Sequence, residues 1–273
     1  MRQGSPEPVR RPRVAAAAVP GCQHVLDGGS PCQDAARTAV TDDLVLLAVA
    51  DGHGAAAYPH SAVGSRLAVD VAVEVMGALI PQLEVVSSAE VRALIVRRVV
   101  FEWNRRVRHH AAMLRALDGA PWAEDIDGAW TPEVKAYGTT LIAAAITPRQ
   151  AVFLRLGDGE ALLVDDEGPL RVFSESDKSM GQATLSLSMR EGVEHFEIAV
   201  IKPPGLVVLA TDGVADPYDE DPSFEEVWGG DLADRLRAHG WTQTALGLPR
   251  SLGGLARDGD DCTVALAWFE ETS

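Results

Sequence analysis

With 273 residues, 47% of them hydrophobic and 23% charged, the chain can close one substantial core and has a soluble, globular composition. A formal net charge of −16 excludes a general nucleic-acid binder, and the one basic cluster, Arg105-Arg106-Val107-Arg108-His109-His110, reads better as a solvated helix face. No apolar run approaches the roughly 18 residues of a membrane span, and Cys22, Cys32 and Cys262 lack the spacing of a disulfide framework or zinc site. Reduced thiols in a cytoplasm are the simplest reading, with a Cys22–Cys32 pair as the minor alternative. Residues 1–13 carry charge and proline without an apolar h-region, so they are expected to form a disordered tail rather than a secretory signal. Residues 14–273 are then a single domain.

In chain order, the apolar run Leu44–Ala50 reads as a buried strand that stops at Asp51-Gly52-His53-Gly54. Val63, Leu67, Val71, Val75 and Leu79 recur at helical spacing, with Pro59 near the start, where proline is tolerated. Ser87 followed by Glu90 predicts a capping box for a second helix, whose apolar stripe is Val91, Leu94, Ile95, Val99, Trp103 and Val107. The acidic stretch 117–135 is expected to be a loop or insertion. Strands are predicted over Thr139–Ile146, Val152–Leu156, Ala161–Val164, Leu170–Phe173, Phe196–Ile201, Leu206–Ala210 and Cys262–Phe269. Several connections are hairpin-short, so the sheets should be largely antiparallel, packed together with helices outside.

Aspartates recur at the ends of these strands: Asp51-Gly52, Gly157-Asp158-Gly159, Thr211-Asp212-Gly213 and Asp260-Asp261. Glycine beside aspartate lets the backbone turn and approach an ion closely at a sheet rim. One such pair is ordinary turn chemistry. Four converging would repel each other without a cation. Hard oxygen ligands with no Cys/His cluster point to Mg²⁺ or Mn²⁺ rather than zinc.

The ordered set Gln33-Asp34, Asp51-Gly52-His53-Gly54, Gly138-Thr139-Thr140, Gly157-Asp158-Gly159-Glu160, Ala210-Thr211-Asp212-Gly213-Val214-Ala215-Asp216 and Asp260-Asp261-Cys262-Thr263-Val264 resembles the type 2C family of metal-dependent serine/threonine protein phosphatases. Gly28–Asp34 is similar to its more divergent bacterial branch. The resemblance implies an α+β four-layer sandwich, two packed antiparallel β-sheets flanked by α-helices. It also implies residue roles. Asp51 would bridge two metal ions, Mn²⁺ or Mg²⁺, and the Gly52 carbonyl would bind one of them. Asp212 and Asp260 would complete the second ion's shell, and Asp34 would hold the first. Asp158 and Asp216 match residues that hold a weaker third ion. Asp260 is favoured over Asp261 because it aligns with the acidic position of the motif. His53 could donate a proton to the leaving oxygen.

Two departures stand out. Gly29 occupies the position where many members place a phosphate-gripping Arg, with His24 or Arg37 as substitutes or the metals acting alone. Glu160 stands where Arg is usual. The implied activity is hydrolysis of phosphoserine and phosphothreonine in proteins, substrates of a serine/threonine kinase, by a cytoplasmic monomer. The alternatives are a phosphatase for small phosphoesters and a catalytically weak or inactive domain that binds metal or a phosphorylated partner.

Overall fold

The computed structural model of the protein describes residues 11–22, 31–41, 43–83, 86, 89–118, 131–174, 185–218, 223–257 and 259–270. Its strands are β1 (Arg11–Val19), β2 (Ala35–Thr41), β3 (Leu44–Ala50), β4 (Leu141–Ile146), β5 (Ala151–Leu156), β6 (Glu160–Asp165), β7 (Gly168–Arg171), β8 (Glu197–Ile201), β9 (Leu206–Ala210) and β10 (Cys262–Glu270). They pair in two five-stranded sheets, ordered β1-β10-β9-β6-β7 and β2-β3-β4-β5-β8. Every neighbouring pair is antiparallel.

The run that reads as β3 shows why the layers stack. All seven of its residues are buried, because both faces of the strand are covered. Successive side chains point to opposite faces. Val45, Leu47 and Val49 therefore enter the interface between the sheets, with Ile142, Phe153, Val207 and Leu209. Leu44, Leu46, Ala48 and Ala50 turn the other way, onto α1 (Ser61–Leu79) and α2 (Ala89–Leu117). The outer face of the other sheet, with Leu162, Val208, Val264 and Leu266, packs under α5 (Leu232–Leu255) and the π-helical turn Glu225–Asp231 before it. Three apolar interfaces thus make four layers: helices, sheet, sheet, helices. Two short helices, α3 (Pro132–Lys135) and α4 (Asp212–Ala215), complete the inventory among the described residues, apart from brief 3₁₀ turns.

Several expectations shift. β1 begins at Arg11, two residues before the expected end of the tail, and pairs along its length with β10; residues 1–10 lie outside the described residues. The predicted strand Leu170–Phe173 lies two residues earlier, at Gly168–Arg171, because the turn at 166–167 sets its register against β6. Ser87 and residues 119–130 also lie outside the described residues; around the latter, α2 runs to Leu117 and α3 occupies 132–135. Cys22, Cys32 and Cys262 are all free, so the Cys22–Cys32 pair does not form.

Candidate active site

β3 ends by placing Asp51 at the rim, and β4 locks it there. The Asp51 N–H donates to Thr140 Oγ1 (3.0 Å), while the Thr140 N–H and the Thr139 hydroxyl both donate to the Asp51 carbonyl, at 2.8 and 2.7 Å. Gly52 bridges to Thr139, and the His53 N–H donates to the Gly138 carbonyl at 3.1 Å. A Cβ at Gly52 would lie 2.5 Å from the Gln33 carbonyl oxygen, so this backbone approach admits only glycine. Ser186 accepts the Thr139 N–H at 3.0 Å and anchors the next segment over the same loop.

Other strand ends deliver the remaining carboxylates. Asp158 sits in the β5–β6 turn beside Gly157, whose φ of 104° favours glycine. Asp212 opens α4 directly after β9. Carboxylate oxygens of Asp51, Asp158 and Asp212 lie within 4.8 Å of one another. Asp34, just before β2, is 7% exposed and receives the Thr211 hydroxyl on Oδ2 at 2.8 Å, while its buried Oδ1 has no donor. Asp216 follows α4 and is exposed.

The paired aspartates before β10 divide their tasks. Asp261 is buried; its Oδ1 accepts the Gly21 N–H at 2.7 Å and its Oδ2 the Gln33 N–H at 2.6 Å. It ties the segments before and after the 23–30 stretch to β10. Asp260 is exposed, and its charge bears on both Asp51 and Asp212.

Electrostatics express the crowding. Burial, then the charges of Asp34, Asp260 and Asp158, push the Asp51 carboxyl well above its ordinary range. Asp212 is raised to about 8 by burial and by Asp51, Asp158, Asp216 and Asp260. Asp34 is raised to about 8, chiefly by burial, against the stabilising Thr211 hydrogen bond. The charges acting on these three groups belong to carboxylates. Such a set is stable as anions only when a cation joins it. The nearby thiols do not offer an alternative. Cys262 is raised to about 12, chiefly by burial, and donates to the Gly213 carbonyl at 3.1 Å. Burial likewise pushes the Cys32 thiol up. A hard divalent cation, Mg²⁺ or Mn²⁺, fits this donor set.

His53 packs edge-on against Tyr58, ring centroids 4.9 Å apart, and its Nε2 is buried without a partner. Burial lowers its pKa, and Asp158 opposes that shift. Arg37 does not reach this rim as a substitute phosphate ligand. It points from β2 onto α1, where it pairs with Asp70 and, at 4.0 Å, with Glu74. Gly29 and His24 lie outside the described residues. Glu160 is accommodated by a charge network of its own strand neighbours. It lies 3.9 Å from Arg155 and 3.3 Å from Arg171; Arg155 also pairs with Glu197 at 2.6 Å, and Arg171 with Glu225 at 2.5 Å.

The sequence reading gave no role to Thr139, Thr140, Thr211, Ser186 or Tyr58. The Gly138-Thr139-Thr140 motif and Thr211 beside Asp212 were visible signals for three of them, since hydroxyls next to rim aspartates can hold the carboxylate or its backbone.

Two packed sheets carry at one rim a cluster of three carboxylates that could hold a metal ion. The protein phosphatase 2C family profile matches residues 21–247, and the chain belongs to that family. Among solved structures, a serine/threonine phosphatase from S. agalactiae is similar with a TM-score of 0.58 and 18% identity, over 95% of this chain and 100% of that one. The catalytic domain of the serine/threonine protein phosphatase PstP, in complex with two manganese ions, gives 0.54 and 16%, over 94% and 97%. RsbX in complex with magnesium gives 0.55 and 14%, over 95% and 96%. At these identities the likeness shows the fold. No curated protein sequence matches the chain. No helix among the described residues is long and apolar enough to cross a membrane.

Proposed function

We propose that the chain hydrolyses phosphoserine and phosphothreonine in proteins, in the manner of a metal-dependent phosphatase. The observation that carries this reading is the convergence of Asp51, Asp158 and Asp212 within 4.8 Å in a family of phosphatases. Asp51 and the Gly52 carbonyl, with Asp34, would hold one ion, and Asp51 with Asp212 and Asp260 a second. Asp158 and Asp216 would hold a third, weaker ion. Asp158 is as close to Asp51 and Asp212 as those two are to each other by the same limit, so the third position would adjoin the first two.

When bound, two divalent cations neutralise the phosphoryl oxygens and acidify the attacking water. The chain's own residues do the rest. Thr139 and Thr140 fix the Asp51 backbone, so its carboxylate is aimed before any ion arrives. Thr211 orients Asp34. His53, packed edge-on against Tyr58, would give a proton to the leaving serine or threonine oxygen; burial lowers its pKa and the charge of Asp158 opposes that shift.

The test is turnover of a phosphothreonine peptide with Mn²⁺ and with excess EDTA. Hydrolysis that needs the metal is expected. Full activity in EDTA would sink the reading. Metal binding without any turnover would favour a binding-only domain instead.

A further inference from the structure

α5 breaks at Gly240, where φ is 74° and ψ 168°. The break folds the helix into two arms. Between them and the π-helical turn Glu225–Asp231 lies a cavity of about 430 Å³, within the range of small-molecule sites, about 300–1,000 Å³.

Its lining is mixed in an organised way. Tyr218, Trp228 and Leu248 supply an aromatic and apolar surface. Arg235 and His239 supply donors, four residues apart and therefore on one face of the first arm. Among the described residues no Asp or Glu lines the cavity, in a chain with 40 acidic residues against 24 basic ones. Among the described residues, the charged groups of this lining are thus opposite in sign to the chain's net charge of −16.

Two further details bear on what the cavity could take. Trp228 is 5% exposed, and its indole N–H is buried with no acceptor; a buried donor without a partner is costly and uncommon. Gly247 lines the second arm, where glycine weakens a helix relative to alanine. No atom lies within 4 Å of where its Cβ would stand, so packing does not require the glycine. Its missing side chain keeps the cavity open.

We propose that this cavity is a binding site for a small organic anion with a flat, apolar body. Arg235 and His239 take the acidic group. Trp228 and Tyr218 cover the body, and a small ligand-induced shift gives the indole N–H its acceptor. A bare inorganic anion would leave the aromatic wall unused, and a neutral ligand would leave the two basic side chains unused.

The full chain, labelled with ¹⁵N, is titrated with 1-naphthoate, naphthalene-1-sulfonate and the neutral 1-naphthalenemethanol. Of the six tryptophan indole signals, that of Trp228 is assigned with Trp228→Phe. The anions are expected to saturate at one molecule per chain and to displace the Trp228 signal. The alcohol should bind at least about tenfold more weakly, the scale of one charge-assisted hydrogen bond. Arg235→Glu should weaken the anions at least as much as removing their charge does, and Gly247→Leu should block them. Arg235 is exposed, so its variant keeps the test decisive should Gly247→Leu fail to fold. The proposal is overturned if neither anion saturates by about 10 mM. Equal binding by the alcohol, or wild-type affinity in Arg235→Glu, also overturns it.

Discussion

The two aspartates before β10 show how adjacent identical side chains acquire different tasks. Asp261 gives both oxygens to backbone N–H groups far away in sequence, while Asp260 faces the acid cluster. Hydrogen bonds to a charged acceptor contribute about 1.5–3 kcal/mol each. Asp261→Asn turns an amide N–H₂ toward one of those donors, and should lower stability in urea by about 2 kcal/mol. Asp260→Asn should leave the urea midpoint near wild type and remove most turnover. The reverse pattern would show that the ligand and the structural tie have been exchanged. Both residues were legible as a pair, and motif alignment favoured Asp260. The role of Asp261 was not legible, because its partners at Gly21 and Gln33 are about 230 residues away and are reached through backbone atoms.

His53 belongs to the same scale. A buried imidazole is held toward its neutral form, and Asp158 supplies the opposing charge. If His53 protonates the leaving oxygen, His53→Ala should slow a phosphothreonine peptide by about 10²–10⁴-fold. An activated aryl phosphate, whose oxygen departs without a proton, should be slowed far less. Equal slowing of both would assign His53 to binding or structure.

At the scale of elements, a charge network joins β5, β6, β7, β8 and the π-helical turn. Arg155 is 1% exposed, stacks 4.7 Å from Phe173 and pairs with Glu197 as well as Glu160. A buried charge stripped of a partner is costly, about 3–5 kcal/mol. Because Arg155 keeps Glu197 and the Ser174 carbonyl, Glu160→Ala should fall at the low end, about 3 kcal/mol, read from chemical unfolding. A loss under about 1 kcal/mol would mean the network is solvated enough to be incidental. The swap of Arg for Glu at position 160 was readable. Its compensation by Arg155 and Arg171 was not, since nothing in the spacing brings β5 of one sheet against β6 and β7 of the other.

The same scale explains which elements were legible. β3 and β9 are dense in valine and leucine and run into aspartate–glycine turns, and β10 follows Asp260-Asp261, so their pattern is strong. β1, Arg11–Val19, carries four consecutive alanines, Ala15–Ala18, and a proline, all weak strand formers. It is extended because β10 offers it a full ladder of nine paired residues. α5 carries Gly240, Pro249 and Gly253-Gly254, residues that argue against a helix. Packing of Leu236, Leu248 and Leu252 onto the sheet overrides that local preference. Tertiary context decided both, and it cannot be read from a window of sequence.

For the whole molecule, the acid cluster sets a balance between folding and metal binding. Asp34 and Asp212 ordinarily titrate at 3.8 and are raised to about 8 in the folded chain. Between those values the folded, metal-free state holds protons that the unfolded chain has already released. Stability then falls as pH rises, because the slope of the unfolding free energy follows the protons bound by the unfolded state minus those bound by the native one. The metal-free protein should therefore melt at a higher temperature near pH 5.5 than near pH 8. Bound divalent cations reverse the balance, since they bind the ionised carboxylates and act only on the folded state. Mn²⁺ should raise the melting temperature strongly near pH 8 and weakly near pH 5.5, and Asp51→Asn should stabilise the EDTA-treated protein while shrinking the Mn²⁺ response. Thermal unfolding of both proteins at the two pH values, with EDTA and with Mn²⁺, checks every part of this. A metal-free melting temperature that climbs from pH 5.5 to 8, or a Mn²⁺ response that Asp51→Asn leaves intact, would mean that the carboxylates gathered at the sheet rim are not the groups that link folding to the ion.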